Sequence, residues 1–474
     1  NNALVAIDRL GLFVIDENLK ITSSFSHNVD NANSISQNSI YEIFVDKLNA
    51  YWIGLREGGI NIIYQKDNIF QQITHELNNP NSINNNSVRA VYESENGDLW
   101  FGTENGISKF GDKKWTNYNK NPKLYNTAVL AINEYQNELL IGTYGEGILK
   151  FNPKEETVSL PNLEPKVPLQ FIFNLVVFGE NLWVSGSDGP LMHYHQNKLI
   201  SKYAIGLVRA IVQGYDDIYY AGTSNGFFEI NDRNKSVRKL KGDFFNNINE
   251  IQSLHFDQLN NAIWIGSTNG LYKFNLSDET IENSSEDSKK EIGTVFSIKK
   301  DNMHRLFLGT ISGLWMYQIK TKLFRKYNDQ DGLIIEEFGL GASTKLKDGR
   351  FAFGGPNGAI IFQPIELEKD RPINDIFLGN FQINGKKPDT ISLKKNINFL
   401  DEIELEFDQN SISFNFETIK FHGSKRNKFE YQLHGFDEKS KTIYGNEKIT
   451  YSNLAPGNYR LLAKGFNAEG VQGD

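Results

Sequence analysis

The sequence predicts an all-β chain: a β-propeller of seven or eight four-stranded blades, followed by an immunoglobulin/fibronectin-like β-sandwich. Three observations predict it. A Trp-Ile-Gly phrase returns about eight times along the 474 residues, at a period of roughly forty-three. Within each unit, short runs alternate apolar and polar residues between glycine turns. Past residue 365 the glycine anchors stop, while the alternation continues without that period.

The first full anchor is Trp52-Ile53-Gly54-Leu55, and later copies begin at Trp100, Leu140, Trp183, Tyr220, Trp264, Phe307 and Phe351. One unit shows the order of elements. Residues 87–92 alternate, Asn96-Gly97-Asp98 turns the chain, residues 99–102 carry the anchor, and residues 107–110 follow a second glycine turn before a looser fourth segment. Four short antiparallel strands make one blade. Asn-Gly and Gly-Gly supply the positive φ of tight hairpins, and the repeated aromatics pack between blades as scaffold. A partial ninth copy, ALVAIDRLGLFVID, opens the chain. A seven-bladed ring leaves the first unit or two over, as the tail of a preceding propeller; an eight-bladed ring uses the opening fragment to help close its last blade. The propeller is expected over residues 1–365.

Two prolines, Pro364 and Pro372, bracket a charged connector. Beyond it, segments at 376–383, 403–407, 411–416, 429–433 and 459–466 alternate as strands, so the sandwich is expected over 373–474. The chain opens inside a repeat and stops without a closing strand, which reads as a piece cut at both ends, with the sandwich truncated C-terminally.

A formal charge of -8 with interspersed signs argues against nucleic acid as a direct partner. With no cysteine there is no disulfide or thiolate metal site, and the compartment stays open on that ground. No apolar run approaches about eighteen residues, so a membrane would be reached only through segments absent from this chain. The eight histidines do not recur at one blade position, and His193-x-His195, the only close pair, has no identifiable third ligand. Gly-x-Ser-x-Gly, a phosphate loop and a calcium loop are absent. No cofactor, metal or catalytic residue is therefore expected, and a propeller lyase or lactonase is disfavoured.

Aligned on their inner strands, the repeats hold small residues at the third position and differ at the second: Tyr41, Arg89, Leu130, Phe173, Arg209, Gln252 and Phe296. Variation at a fixed scaffold position is where specificity can reside. Arginine can pair with a sugar carboxylate or sulfate while an aromatic ring stacks on the sugar's apolar face. Hairpin loops add Arg56, Glu57, Glu104, Tyr144, Glu146, Asp188 and Asn225. The candidate ligand set is Tyr41, Arg56, Arg89, Tyr144, Arg209 and Gln252. The competing reading has the arginines bonded to blade carbonyls or acidic neighbours.

The repeats ending in FGGPNGAIIFQP and the segment YQLHGFDEKSKTIYGNEKITYSNLAPGNYRLLAKGFNAEG together resemble the two-component-regulator propeller and the triple-tyrosine (Y_Y_Y) domain that follows it. The three tyrosines carry over onto Tyr431, Tyr451 and Tyr459. Where that family usually has a tryptophan, this chain has Thr442-Ile443-Tyr444, and its anchors are irregular at Leu140 and Ser185. The resemblance implies the periplasmic sensor region of a Bacteroidetes hybrid two-component system, whose histidine kinase lies outside this chain. It implies an oligosaccharide ligand from polysaccharide breakdown and a homodimer formed through the C-terminal sandwich. A sensor region of a helix-turn-helix transcriptional regulator is the alternative.

Overall fold

The structure is a computed structural model that describes residues 3–466, apart from 30–33, 47–49, 64–68, 120, 188, 241–249, 286–291, 329–330, 369–375, 389–395 and 419–427. The chain divides into two compact units, residues 1–69 and 70–474. The range 1–365 is thus not one body: the ring lies in the second unit.

Seven four-stranded antiparallel sheets form that ring. Their inner strands are Val88–Glu93, Val129–Tyr135, Ile172–Phe178, Val208–Gln213, Ile251–Asp257, Val295–Lys300 and Ser343–Lys345, for blades one to seven. Each adjoins the next, and the seventh returns to the first. Blade seven takes its outermost strand from the start of the ring: Phe70–Ile73 pairs antiparallel with Gly358–Phe362, from Phe70↔Phe362 to Ile73↔Ala359. Seven blades therefore close by themselves, and the first two repeats stand outside them.

The blades are joined by apolar seams. Trp100, Trp183, Trp264 and Trp315 are all at most 4 % exposed and serve as scaffold. Between blades seven and one, Leu346, Ala352 and Ile361 pack against Val88, Val91 and Phe101, so the closing seam is as apolar as the others. Within the ring, the first glycine of an anchor is a close-approach glycine and not a turn residue. A Cβ on Gly354 would lie 2.6 Å from Val88 Cγ1, and one on Gly102 2.8 Å from Val129 Cγ1, because the next inner strand rests on the glycine. Blade three carries Ser185 there and solves the contact differently. Ser185 Oγ donates to Val208 O at 3.0 Å, and Asn174 Nδ2 donates to the same carbonyl at 2.8 Å.

The first unit holds two three-stranded antiparallel sheets among its described residues, Ala3–Ile7/Gly11–Ile15/Ile21–Phe25 and Ile40–Val45/Tyr51–Leu55/Ile60–Ile63. They share a core of Leu12, Val14, Ile35, Tyr51, Ile53 and Leu55.

After the last blade, Arg305, buried in blade six, donates from Nη2 to Pro364 O at 2.9 Å, which fixes the start of the connector. The sandwich has two three-stranded sheets: Ile376–Ile383, Ile412–Thr418 and Ile449–Tyr451 face Lys441–Tyr444, Lys428–His434 and Arg460–Phe466. Phe414, Phe416, Phe429, Tyr431 and Tyr451 fill the space between. The three tyrosines do separate work. Tyr431 meets Phe416 edge-on at 5.6 Å, Tyr451 donates to Asp437 Oδ2 at 2.5 Å, and Tyr459 donates to Ala455 O at 2.8 Å. That last bond, reaching back a few residues, has the form of a tyrosine corner. Thr442-Ile443-Tyr444 lies in an outer strand of its sheet.

Candidate functional site

The variable second position of the inner strand has a structural meaning. In blades one to six the ladder breaks between positions one and three, at Val88/Ala90, Val129/Ala131, Ile172/Asn174, Val208/Ala210, Ile251/Ser253 and Val295/Ser297. Arg89, Leu130, Phe173, Arg209, Gln252 and Phe296 are the residues skipped. Each is the extra residue of a β-bulge, released from the ladder and turned out of the sheet. Blade seven follows with Gly341 (φ +77°), whose Cβ position lies 3.6 Å from Arg89 O and 3.7 Å from Leu130 O. Because those carbonyls belong to blades one and two, the bulges crowd together at one end of the channel. The positive φ is what favours glycine there, since the spacing itself would admit a methyl.

A second residue per blade borders the same end. The residue after each anchor donates its N–H to the carbonyl just before the inner strand: Glu104 to Ser87, Tyr144 to Ala128, Ser187 to Phe171, Ser224 to Leu207, Thr268 to Glu250 and Ile311 to Thr294. Bulge residue and loop residue thus form a double row around the mouth.

Arg89 is taken. Its Nε and Nη2 lie 2.7 Å and 2.6 Å from Glu104 Oε1, so two candidates neutralise each other at the rim. Arg209 is differently placed: its guanidinium lies 5.3 Å over the Phe173 ring, and its buried Nε has no hydrogen-bond partner among the described residues. Tyr144, 59 % exposed, meets Phe171 at 4.5 Å. Tyr144 and Arg209 therefore both converge on the start of blade three, through Phe171 and Phe173. Gln252 is buried and donates to Glu250 Oε2 at 3.2 Å. A cleft of about 290 Å³ opens between the Gly145–Gly147 hairpin and the connector into blade three, lined by Glu146, Leu160, Lys166 and Gln170 among others. Asn225 stays in its hairpin turn, its N–H bonded to Thr223 Oγ1 at 2.9 Å. Asp188 lies outside the described residues.

Tyr41 and Arg56 belong to the first unit. Tyr41 occupies the same bulge position, between Ile40 and Glu42, and Arg56 N donates to Ser39 O as the other loop residues do. Both are exposed.

Sequence reading missed Phe171 and Lys166. A signal existed in residues 160–170, LPNLEPKVPLQ, a proline-rich connector of the kind that functional loops favour.

The histidines need one correction. His27 and His75 do recur at one position: Nδ1 of each bonds a carbonyl eight residues on, Ile35 O at 2.9 Å and Ile83 O at 2.7 Å, bracing the loop into the next inner strand. His193 and His195 share a face, both meeting Asn181 Oδ1, at 2.9 Å and 3.1 Å. His193 also lies 3.1 Å from Asp232 Oδ2 and stacks on Trp183 at 4.4 Å. Burial depresses its pKa although Asp232 pulls the other way. Among the described residues no group of three or more His, Cys, Asp or Glu is placed to hold a metal ion.

Two family models match the chain: the two component regulator propeller over residues 82–105 and the Y_Y_Y domain over residues 420–474. A curated relative, histidine kinase P4 of Formosa agariphila, is 28 % identical over 185 residues, which is 38 % of this chain and 13 % of that protein. Among solved structures, the extracellular domain assigned to a hybrid two-component system of B. thetaiotaomicron aligns with all of this chain and 65 % of its own, at 21 % identity and a TM-score of 0.77. An extracellular domain from the same organism, assigned to a one-component system, aligns with all of this chain and 66 % of its own, at 22 % identity and a TM-score of 0.51. The chain thus spans a small part of the curated relative and just under two thirds of the solved ones. Among the described residues no helix is long and apolar enough to cross a membrane. The first match falls on blade one of the ring and the second on the part of the sandwich that carries Tyr431, Tyr451 and Tyr459, and the chain is similar in these segments and in fold to a two-component-regulator propeller joined to a Y_Y_Y domain.

Proposed function

We propose that this chain is the ligand-sensing region of a hybrid two-component histidine kinase, periplasmic, recognising an oligosaccharide from polysaccharide breakdown. The row of bulge residues carries the reading. One backbone position, repeated around the ring and freed from the ladder, presents a different side chain in each blade, as a binding surface built on a constant scaffold requires. The extracellular neighbours and the histidine kinase relative support the output and the compartment.

In this reading the sugar lies over the start of blade three. Tyr144, Phe171 and Phe173 offer ring faces to its apolar side, and the guanidinium of Arg209, which has no carboxylate partner among the described residues, supplies the charge for a carboxylate or sulfate. Arg89 contributes less, because binding must first displace Glu104. The sandwich passes the response on and forms the homodimer.

Calorimetry against a panel of neutral, carboxylated and sulfated oligosaccharides tests this. Arg209→Ala is expected to weaken the best ligand about tenfold, about 1.4 kcal/mol, and Arg89→Ala about threefold or less. Unchanged affinity in the double variant would remove the central support. Light scattering tests the dimer: removing residues 376–474 should leave a monomeric ring.

A further inference from the structure

The connector into blade three is held as a fixed wall. Glu164 N donates to Asn197 O at 2.8 Å, Leu199 N donates to Glu164 O at 2.9 Å, and Tyr194 Oη donates to Pro165 O at 2.8 Å, which pin it to the outer strands of its own blade. The hairpin of blade two is latched to the far end of this connector. Gly145 N and Gly147 N both donate to Gln170 O, at 3.0 Å and 2.9 Å. Between hairpin and connector lies the cleft of about 290 Å³. Its walls stand in place before any ligand arrives, so binding loses little to ordering them.

The cleft is apolar at depth and polar at its edge. Ile148, Leu163 and Leu169, none more than 8 % exposed, form its floor. Glu146, Lys166 and Gln170 are exposed at its rim, and none of these side chains has a hydrogen-bond or ion-pair partner among the described residues. The rim thus offers one carboxylate, one ammonium and one amide, and its two charges cancel. Gly145 follows Tyr144 and Gln170 precedes Phe171, so the cleft adjoins the aromatic pair whose rings lie 4.5 Å apart. Its volume falls at the lower edge of ligand pockets, roughly 300 Å³, and suits one substituent or one ring of a sugar rather than a whole oligosaccharide.

This combination selects among the substituents a sugar carries. A hydroxyl leaves the apolar floor unused. A carboxylate or sulfate meets the like charge of Glu146, and an ammonium meets that of Lys166. An acetamido group answers every part: its methyl covers the floor, its carbonyl accepts from Lys166 or Gln170, and its N–H donates to Glu146. We infer that the cleft is an acetamido subsite, and that the sugar recognised at the start of blade three is an N-acetylated amino sugar. The inference rests on the sugar site proposed above and narrows its ligand class.

Calorimetry of the whole 474-residue chain tests the inference, titrating triacetylchitotriose and, separately, cellotriose, which carry an acetamido group and a hydroxyl at the same ring carbon. Saturable binding of the acetylated sugar is expected, about tenfold tighter than that of cellotriose. Gln170→Trp sets an indole at the rim and should abolish this preference, whereas Glu146→Ala, which removes one acceptor, should reduce it about threefold. The ratio of the two affinities is read, because a folding defect lowers both together, and melting curves check that the variants fold. If Gln170→Trp does not fold, the exposed Glu146→Ala decides. No saturable binding of triacetylchitotriose, equal affinity for the two sugars, or an unchanged ratio in the folded variants overturns the inference. In each case a carboxylated or sulfated oligosaccharide that still binds, and that Arg209→Ala weakens, leaves the sugar site standing without its acetamido subsite; failure of every oligosaccharide removes both.

Discussion

A single Cβ distinguishes the glycines of the repeated phrase. Gly354→Ala places a methyl 2.6 Å from Val88 Cγ1 across the closing seam, and we expect a loss of about 1–3 kcal/mol in denaturant unfolding. Gly54→Ala, at the same position in the first unit, meets nothing nearer than 3.7 Å and should be close to neutral. The recurrence of these glycines was legible in the sequence; their reason was not, because the clash is with a residue in the following blade. Arg89 teaches the same point, since its partner Glu104 comes from the next hairpin and one row of letters does not pair them. His255 makes a residue-scale prediction about pH. Its folded pKa is lowered to about 4, so below about 6.5 the unfolded chain takes up a proton that the folded chain refuses. Stability from this group is therefore present at neutral pH and lost as pH falls from about 6.5 to about 4, by at most roughly 3 kcal/mol. Unfolding curves at pH 7 and pH 4.5 should differ less for His255→Gln than for the wild type.

At the scale of elements, the bulge and the closing strand decide what the repeats become. The alignment of inner strands exposed the variable second position, but a bulge is a property of pairing and is invisible until the partner strand is in place. The closing strand was harder still. Phe70–Ile73 reads Phe-Gln-Gln-Ile, four residues with no glycine anchor, yet Phe70 is 3 % exposed and meets Phe362 at 5.2 Å and Tyr327 at 5.8 Å, both edge-on. Phe70→Ala is expected to cost about 3–5 kcal/mol, measured as a shift in the denaturant midpoint. Counting anchors gave repeats, not blades, because the number of repeats and the number that close a ring are set by different strands.

For the whole molecule, two units predict two separable behaviours. A chain beginning at Phe70 contains every strand of the ring and should keep its calorimetric transition, whereas one beginning at His75 lacks the outermost strand of blade seven and should melt earlier and less cooperatively. The propeller and the sandwich were both legible, the first from its period and the second from its alternation and tyrosines. The division at residue 69 was one of two readings the sequence left open, since the repeat phrase runs across it without change. The pairing of Phe70–Ile73 with Gly358–Phe362 also imposes an order on synthesis. A ribosome releases the first of these strands long before the second, at roughly 5–20 residues per second. For that interval an apolar strand waits unpaired, with the edge that favours association with another chain. The ring is therefore most exposed to misassembly just before its seventh blade leaves the ribosome, and a nascent chain stalled anywhere short of residue 362 cannot close it.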